Sequence, residues 1–442
     1  MNSFLSRYWK STLARNTGWM FLGQGFRLAI QAGYFIIIAR SLGVREYGAF
    51  AAVVAMVAIL SPFVGFGSGN LIVQNVSRDR ALLDECFGNG VVMILATGLL
   101  GVGTVIAICR WMLPASIPLV VILMVAMADL IFYRQILLVA GAFQALERLD
   151  KTAQLNVLIS SSRFIGIAAT VGMVRHPTAE LWSFVYAGTT GVALAFALLL
   201  ARTVVRSVKF APKRIKLELL EGLYYSGGLS AQTIYNDVDK TMLARLSTLG
   251  ANGIYSAAYR LIDVAFIPVS SVIYAAYPGY FRYGKGGVQS SYQYAKRLLP
   301  RPIGFSLLAF GALLVGAPLV PKILGAEYLR TVEALRWLSI LPLLKTIHYF
   351  FADALSGAGY QGLRMCLQII VAVFNVLVNL WVIPAYSWRG AAWSSLASDG
   401  SLALLMWIAI TTLRRRQRTT VIAPAAGVTL NCTVDEEYLP SQ

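Results

Sequence analysis

The sequence predicts an all-α integral membrane protein with about twelve transmembrane helices in two six-helix lobes. The chain has 442 residues, of which 57% are hydrophobic and only 13% charged. Soluble domains are roughly 25% charged, and the mean hydropathy here is +0.66. The apolar residues lie in long runs separated by short connections, and roughly 20 apolar residues are enough to cross the hydrocarbon core as a helix.

Length and bounding charges predict one span in each of twelve apolar runs. In chain order these are 17–39, 47–72, 85–109, 115–142, 153–174, 180–204, 219–248, 252–280, 298–321, 327–356, 361–384 and 387–413. The first is expected to be a retained span, because the polar, basic stretch before it is too long for a standard signal peptide. The joints at 40–46 and 249–251 are short enough to predict tight helical hairpins.

The arrangement of lysine and arginine in the connections predicts the orientation of the chain. With the N-terminus in the cytoplasm, about 23 of these residues fall on the cytoplasmic side and about 9 on the other. Cytoplasmic connections carry the excess of positive charge in membrane proteins. Both termini are therefore expected in the cytoplasm.

The most basic connection, 205–218, divides the chain into two halves. We expect a six-helix lobe at 1–204, a basic cytoplasmic linker at 205–218 and a second six-helix lobe at 219–413. The polar tail at 414–442 ends in acidic residues and has no periodicity, so it is predicted to be disordered.

The two halves contain similar patterns. ARSLGVREYGAF in the first half resembles ARLSTLGANGIYSAA in the second, and Gly48 and Gly253 in these segments are 205 residues apart. Pro62 and Pro268 interrupt the apolar runs that follow and are 206 residues apart. Six spans in each half make this a parallel repeat, an arrangement found in secondary transporters; chance similarity between apolar hairpins is the alternative.

Several other classes of protein and site are not indicated. The net charge of +18 is concentrated in the connections, so it does not predict a nucleic-acid partner. The four cysteines are scattered and only two histidines occur, which predicts no metal site, no disulfide framework and no cofactor. Neither a phosphate-binding loop of the GxxxxGK[ST] kind nor an HExxH motif is present, and no enzymatic constellation stands out.

Five basic residues are predicted to lie inside the membrane, where charges are costly and usually mark a pathway. Arg27, Arg163 and Lys345 fall near the centres of their spans, too far from either surface to reach it comfortably. Lys240 and Arg260 lie about a third of the way into theirs. These five are the candidate substrate-binding residues, in a wet central cavity that attracts an anion.

Polar residues at helical spacing accompany these cations and predict one hydrophilic stripe on each helix. The stripes are formed by Gln24, Arg27 and Gln31; Asn156, Ser160 and Arg163; Asp237 and Lys240; Arg260 and Asp263; Lys345 and His348; and Gln368, Asn375 and Asn379. The alternative is that the cations form ion pairs that hold helices together. It is strongest for Arg260 with Asp263, and weakest for Arg27 and Arg163, which have no acidic residue in their own spans.

Pro62 and Pro268 are predicted to break spans two and eight at matching positions, since proline removes a backbone hydrogen bond. Paired breaks mark a site or a hinge in transporters, so both prolines are candidate gating residues. A static kink is an equal alternative.

Four stretches resemble polysaccharide-type, O-antigen (Wzx-like) flippases. They are NTGWMFLGQGFRLAIQAGYFIIIARSLGVREYGAFAAVVA, DVDKTMLARLSTLGANGIYSAAYRL, LGAEYLRTVEALRWLSIL and FNVLVNLWVIPAYSWRGAAWSSL. The resemblance spans about residues 14–413. The family belongs to a superfamily of multidrug, oligosaccharidyl-lipid and polysaccharide exporters that also includes lipid II flippases.

The resemblance implies a bacterial inner-membrane flippase for O-antigen or exopolysaccharide biosynthesis. Its substrate would be an undecaprenyl-pyrophosphate-linked oligosaccharide, moved to the periplasmic leaflet by alternating access, with membrane lipids, a polymerase and glycosyltransferases as partners. An ion gradient could act through Asp237, Asp239, Asp263 or Asp353. The alternative function is a cation-coupled multidrug or small-molecule antiporter of the same superfamily. A membrane polymerase or ligase is less favoured, because no large periplasmic loop is visible.

Overall fold

The computed structural model of the chain describes residues 12–174, 177–212, 226, 230, 233–234 and 236–422. These residues form helices and connections and contain no β-strand. Ten helical segments among them are long and apolar enough to cross a membrane. The first of these, Ile30–Val73, contains parts of predicted spans one and two, and much of the first half of predicted span seven falls outside the described residues. The fold class predicted from the sequence is confirmed.

The described residues of the first half contain seven α-helices. These are α1 (Thr12–Leu60), α2 (Ser68–Arg78), α3 (Leu83–Met112), α4 (Leu119–Ala126), α5 (Tyr133–Ala145), α6 (Leu149–Met173) and α7 (Ala179–Ala201). A 3-10 segment at Ser61–Gly67 separates α1 from α2, and a π-helical turn at Met127–Phe132 joins α4 to α5. The hairpin predicted at 40–46 is a turn within α1 at Gly43, whose φ of 74° a glycine adopts without strain.

The second half adds nine further helices among the described residues. They are α8 (236–246), α9 (Leu249–Gly284), α10 (Gly287–Leu298), α11 (Pro300–Gly316), α12 (Val320–Leu324), α13 (Thr331–Leu338), α14 (Leu341–Gly357), α15 (Gln361–Tyr386) and α16 (Trp388–Ile422). The hairpin predicted at 249–251 is a short turn, in which the Thr248 hydroxyl caps α9 by accepting a hydrogen bond from the Ala251 N–H at 3.0 Å.

The tail predicted to be disordered from residue 414 instead continues α16 as far as Ile422. Its first residue explains part of this, because Arg414 donates to Gln289 at 2.6 Å and stacks on the Tyr292 ring at 3.8 Å. Tertiary contacts therefore extend the helix beyond the apolar span. The acidic end of the tail lies outside the described residues.

The break predicted at Pro62 is present, but the matching break at Pro268 is not. Pro62 begins the 3-10 segment, in which three successive residues leave the helical conformation. By contrast, α9 runs from Leu249 to Gly284 without interruption. The proline removes one hydrogen bond, the one from position 268 to Val264 O, and a membrane helix can continue through such a single loss.

The two glycines of the predicted repeat pack against each other where α1 crosses α9. A Cβ at Gly48 would lie 1.9 Å from Leu249 O, and one at Gly253 would lie 1.9 Å from Val44 O. The buried Asn252 side chain also donates to Gly48 O at 2.7 Å. Small residues let helices approach this closely in membranes, so the repeat places its two matching glycines at one crossing.

Among the described residues, the buried core that the halves share lies at the hairpin end, and one further contact away from it joins the Ser230 hydroxyl to Ile59 O at 2.8 Å. One cluster of buried side chains combines the first half with second-half residues from 242–262, 317–341 and 383–392. A second cluster contains only second-half residues, from 276 to 410. At the hairpin end Tyr328 OH also donates to Ala39 O at 2.9 Å, and Glu327 accepts from the Val44 N–H at 3.0 Å. The molecule is therefore closed at the predicted periplasmic end.

The described start of the predicted linker packs against α3. Asp84, in the first turn of α3, accepts hydrogen bonds from the Arg206 N–H at 3.1 Å and the Ser207 hydroxyl at 3.0 Å. The buried Asn89 side chain accepts from the Ala211 N–H at 2.9 Å. The first part of the linker is thus attached to the first half, while 213–218 lie outside the described residues.

Candidate functional site: a central cavity between the halves

A cavity of about 380 Å³ lies between α1, α6 and α7 of the first half and α8 and α9 of the second. Among the predicted residues, Arg163, Lys240, Arg260, Asp237 and Asp263 line it together with aromatic side chains. We call this the central cavity. Its wall is completed by Tyr34, Phe35, Ile38, Tyr47, Phe50, Ala51, Val54, Ala55, Ala58, Tyr186, Ser256 and Tyr259.

A smaller side pocket adjoins the central cavity inside the first half. Its lining shares Tyr34, Arg163 and Arg260 with the central cavity and adds Tyr133 and Ile159. The remaining lining residues are the predicted stripe residues Gln31, Asn156 and Ser160. The stripes of α1 and α6 therefore face one polar space, as their helical spacing predicts.

Arg163 is held by a network that the sequence analysis did not predict. Its guanidinium donates to Asp129 Oδ1 at 2.9 Å and to the Thr190 hydroxyl at 3.3 Å. It also lies 4.0 Å from the ring centroid of Tyr186, whose hydroxyl donates to Asp129 at 2.8 Å. The ion-pair alternative, considered weakest for Arg163, is the arrangement that the structure shows.

Asp129 lies in the π-helical turn of Met127–Phe132, within predicted span four. A π-turn inserts one residue into a helix and is frequent at functional sites. The missed signal was an acidic residue near the middle of an apolar run. It would have been found by searching all spans for a partner to Arg163 instead of its own span alone.

Lys240 and Arg260 differ in their partners. Lys240 forms an ion pair with Asp237 one helical turn away, and its ammonium lies 4.9 Å from the Tyr259 ring centroid. Arg260 makes no ion pair among the described residues, and the pair expected with Asp263 is not formed within 4.0 Å. Arg260 is thus a cavity cation without a carboxylate partner in the part of the chain that the structure describes.

Lys345 of α14 is buried near the Tyr259 ring. Its ammonium lies 5.2 Å from the ring centroid of Tyr259, on which Lys240 also stacks, and its side chain is 7% exposed. Asp263 interacts electrostatically with both lysines. One turn along α14, His348 Nε2 lies 3.0 Å from Asp399 Oδ1.

Two of the four candidate coupling residues lie outside the linings of the central cavity and side pocket. The buried Asp239 carboxylate accepts hydrogen bonds from the hydroxyls of Tyr255 and Ser395. Asp353 forms an ion pair at 3.0 Å with Arg364 at the start of α15. Of the candidates, only Asp237 and Asp263 therefore line the space that a substrate would enter.

The remaining predicted residues have separate locations. Arg27 lies within α1, but its side chain is outside the described part of the chain. The stripe predicted on α15 packs against α16 instead of the cavity, since Asn375 donates to the hydroxyls of Ser394 and Ser398 at 3.3 and 2.9 Å. Pro62 and Pro268 do not line either space.

Comparison with solved structures identifies the class of this fold. The lipid II flippase MurJ in an inward closed conformation superposes with a TM-score of 0.70 at 12% identity, covering 89% of this chain and 87% of that one. A MATE-family multidrug transporter in an inward-facing conformation gives 0.65 at 15% identity, covering 90% and 99%. A Pyrococcus furiosus transporter, described as having a binding pocket of reverse polarity, gives 0.58 at 15%, covering 91% and 96%. The protein has the fold that these transporters of the MOP superfamily share.

The family follows from the sequence itself. A family model described as polysaccharide biosynthesis protein matches residues 13–283, which is more than half of the chain. The chain belongs to this family. No curated protein sequence matches the chain.

Proposed function

We propose that this protein moves an undecaprenyl-pyrophosphate-linked oligosaccharide from the cytoplasmic to the periplasmic leaflet of a bacterial inner membrane, for O-antigen or exopolysaccharide biosynthesis. The observation that carries the proposal is the set of Arg163, Lys240 and Arg260 around one cavity between the halves. Guanidinium groups suit pyrophosphate because they donate two parallel hydrogen bonds. Membership of the polysaccharide biosynthesis family supports the same substrate class.

The charged groups of the central cavity balance, so an anion that binds there must replace carboxylates that already pair with its cations. Its lining contains three cations and two carboxylates, and Asp129 pairs with Arg163 from outside the lining. Arg260 has no such partner among the described residues. We propose that, within the central cavity, Arg260 is the first residue to contact the pyrophosphate and that Arg163 and Lys240 then exchange their carboxylate partners for it.

Alternating access through this cavity is supported by the asymmetry between the two ends. Most of the buried contact between the described parts of the two halves lies at the hairpin end, which supports a cytoplasm-facing state in the proposed orientation. The Gly48–Gly253 crossing closes that end and would open in the periplasm-facing state. We propose that the lobes are 1–204 and 219–413, that both termini are cytoplasmic, and that the polyprenyl chain stays in the bilayer.

A cation-coupled multidrug antiporter is the second candidate, and one observation favours it. Asp237 and Asp263 both line the central cavity, where carboxylates would attract a cationic drug. Asp237, however, is already paired with Lys240. This candidate predicts drug resistance on expression, with no effect on surface glycan.

Complementation of a flippase-deficient, polysaccharide-negative strain tests the proposal. Wild type should restore surface glycan, Arg260→Gln should lower it at least about tenfold through loss of a charged contact, and Arg260→Lys should retain part of it. Arg245→Gln is the matched control, because Arg245 is exposed at the end of α8. Failure of wild type across several glycan backgrounds, together with drug resistance, would favour the antiporter.

A further inference from the structure

A third cavity lies inside the first half, and no predicted substrate-binding residue lines it. It has a volume of about 340 Å³ and is enclosed by the 3-10 segment of Ser61–Gly67 and by α2, α3, α5 and α6. We call it the N-terminal cavity. Asn70 and Gln144 of its lining are exposed, so the cavity opens past them.

The start of helix α2 forms one wall of this cavity. Ser68, Gly69 and Asn70, the first three residues of the eleven-residue helix, line it. The residue before the helix is Gly67, with a φ of 69°, and no side chain caps the helix there. The positive end of the helix dipole is therefore directed at the cavity; the Ser68 N–H already donates to Gly65 O, and no side chain caps the helix there.

A buried hydroxyl without a partner points to a ligand at this position. The Ser68 side chain is 7% exposed, lines the cavity and makes no hydrogen bond within the described residues. A buried polar group normally has a partner, so this hydroxyl is free to donate to something in the cavity.

The other polar lining groups favour an anion. Arg134 of α5 uses Nε to donate to the Ser61 hydroxyl at 3.0 Å, and its two terminal nitrogens make no ion pair with any described residue. Asn156 and Gln144 add amide donors, and no aspartate or glutamate lines the cavity. A guanidinium, a hydroxyl and a helix N-terminus together form a phosphate-binding arrangement.

The N-terminal cavity adjoins the proposed transport route. Asn156 lines both this cavity and the side pocket, and the side pocket shares Arg163 and Arg260 with the central cavity. Along these three adjoining spaces, a ligand would meet Arg134 first and then Arg163 and Arg260. In the proposed orientation α2 lies toward the cytoplasmic face, because Arg78 at its end and Arg80 just after it belong to the basic side.

We propose that the N-terminal cavity is a loading site that binds the pyrophosphate of the lipid-linked substrate at the cytoplasmic leaflet before it reaches the central cavity. This assignment rests on the proposed function. The shared chemistry is a phosphate group, which a phospholipid head group also carries.

Equilibrium binding of ³²P-labelled inorganic pyrophosphate to the purified full-length protein in neutral detergent tests the site. Because the central cavity also binds anions, variants are compared in an Arg163→Gln, Arg260→Gln background. Arg134→Gln should weaken the remaining binding at least about tenfold, and Arg134→Lys should weaken it less. Equal affinity of Arg134→Gln and its parent would overturn the proposal.

A substitution at Ser68 guards against an effect of misfolding. Ser68→Asp adds a carboxylate that stabilises a helix N-terminus, so α2 is expected to persist, yet its charge should abolish pyrophosphate binding. Ser68→Asn is the neutral control of similar size and should retain most of the binding. Retained binding in Ser68→Asp would contradict the assignment.

Competition separates the two sources of phosphate. Farnesyl pyrophosphate should displace labelled pyrophosphate from the same background protein, whereas phosphatidylglycerol in mixed micelles should not. Equal displacement by phosphatidylglycerol would make the cavity a head-group site and overturn the loading role. The two proposals can fail separately. If Arg134→Gln loses pyrophosphate binding but wild type restores no glycan, the site is retained and the proposed function is rejected. If wild type restores glycan but Arg134→Gln binds pyrophosphate normally, the proposed function is retained and the loading site is rejected.

Discussion

Arg163 illustrates how a membrane-embedded charge can be structural and functional at once. Its pair with Asp129 is mostly buried, with side-chain exposures of 19% and 17%, and the ring of Tyr186 covers it. Removing one partner of such a pair leaves an uncompensated charge in a low-dielectric environment. The network therefore fixes α6 against the π-turn and α7 while keeping a guanidinium at the cavity wall.

A double-mutant cycle tests this pair. Arg163→Met and Asp129→Leu should each lower stability by roughly 3 kcal/mol, because each leaves the other charge unpaired. The double variant should lose much less than the sum, giving a coupling of about 1–3 kcal/mol. Apparent melting temperature in detergent is the measurement, and additive losses would show that the two side chains do not stabilise each other.

The carboxylates of the central cavity give a second prediction at the scale of residues. If transport is coupled to protons, Asp237→Asn and Asp263→Asn should lower gradient-driven transport by about tenfold or more, because these two line the central cavity. Asp353→Asn is the matched control, since Asp353 pairs with Arg364 away from it. Proton uptake during transport in proteoliposomes measures the effect. Unchanged uptake in the Asp237 and Asp263 variants would reject coupling through this cavity.

The sequence predicted which residue types would be found in the membrane, but not how they pair. Helical spacing correctly placed Arg163 on one face with Asn156 and Ser160, because that periodicity is local. The Asp129 partner comes from another helix, and the Arg260–Asp263 pair expected from spacing does not form. Contacts between helices depend on their relative rotation, which a single-helix pattern does not encode.

At the scale of helices, α1 and α9 make a close backbone contact between the halves where they cross. The carbonyls of Leu249 and Val44 occupy the positions that Cβ atoms at Gly48 and Gly253 would need. Backbone cannot yield as a flexible side chain can, so a larger residue must push the helices apart.

Gly48→Ala and Gly253→Ala should therefore each destabilise the structure by about 1–3 kcal/mol, through overpacking at the crossing. Gly250→Ala is the matched control on the same helix, because a Cβ there meets only Val44 Cγ1 at 3.9 Å. That control should be neutral or slightly stabilising, as alanine favours helix. If Gly48→Ala and Gly253→Ala had the same apparent melting temperature as Gly250→Ala, this packing would be contradicted.

The repeat matched the two glycines that meet at this crossing but did not predict their contact, and its matched prolines differ in structure. Pro62 and Pro268 occupy equivalent sequence positions, yet only Pro62 interrupts its helix. The glycines GFGSG after Pro62 allow a non-helical segment, and no such sequence follows Pro268. Proline alone was an insufficient signal for a break.

At the scale of the whole molecule, closure at the hairpin end should be reversible during transport. A disulfide between Val44→Cys and Gly250→Cys, in a background without the native cysteines, should form readily because these positions are in contact. The oxidised protein should be held in the cytoplasm-facing state and lose transport, and reductant should restore it. Full transport by the oxidised form would show that the halves do not separate at this end.

Flipping by purified protein tests the central claim most directly. Proteoliposomes would contain a fluorescent polyprenyl-pyrophosphate oligosaccharide, and a membrane-impermeant quencher would report its transfer between leaflets. The account predicts flipping that requires wild-type protein, falls at least about tenfold in Arg260→Gln and is unchanged in Arg245→Gln. Absence of protein-dependent flipping, or equal rates for Arg260→Gln and wild type, would contradict a pyrophosphate-binding central cavity.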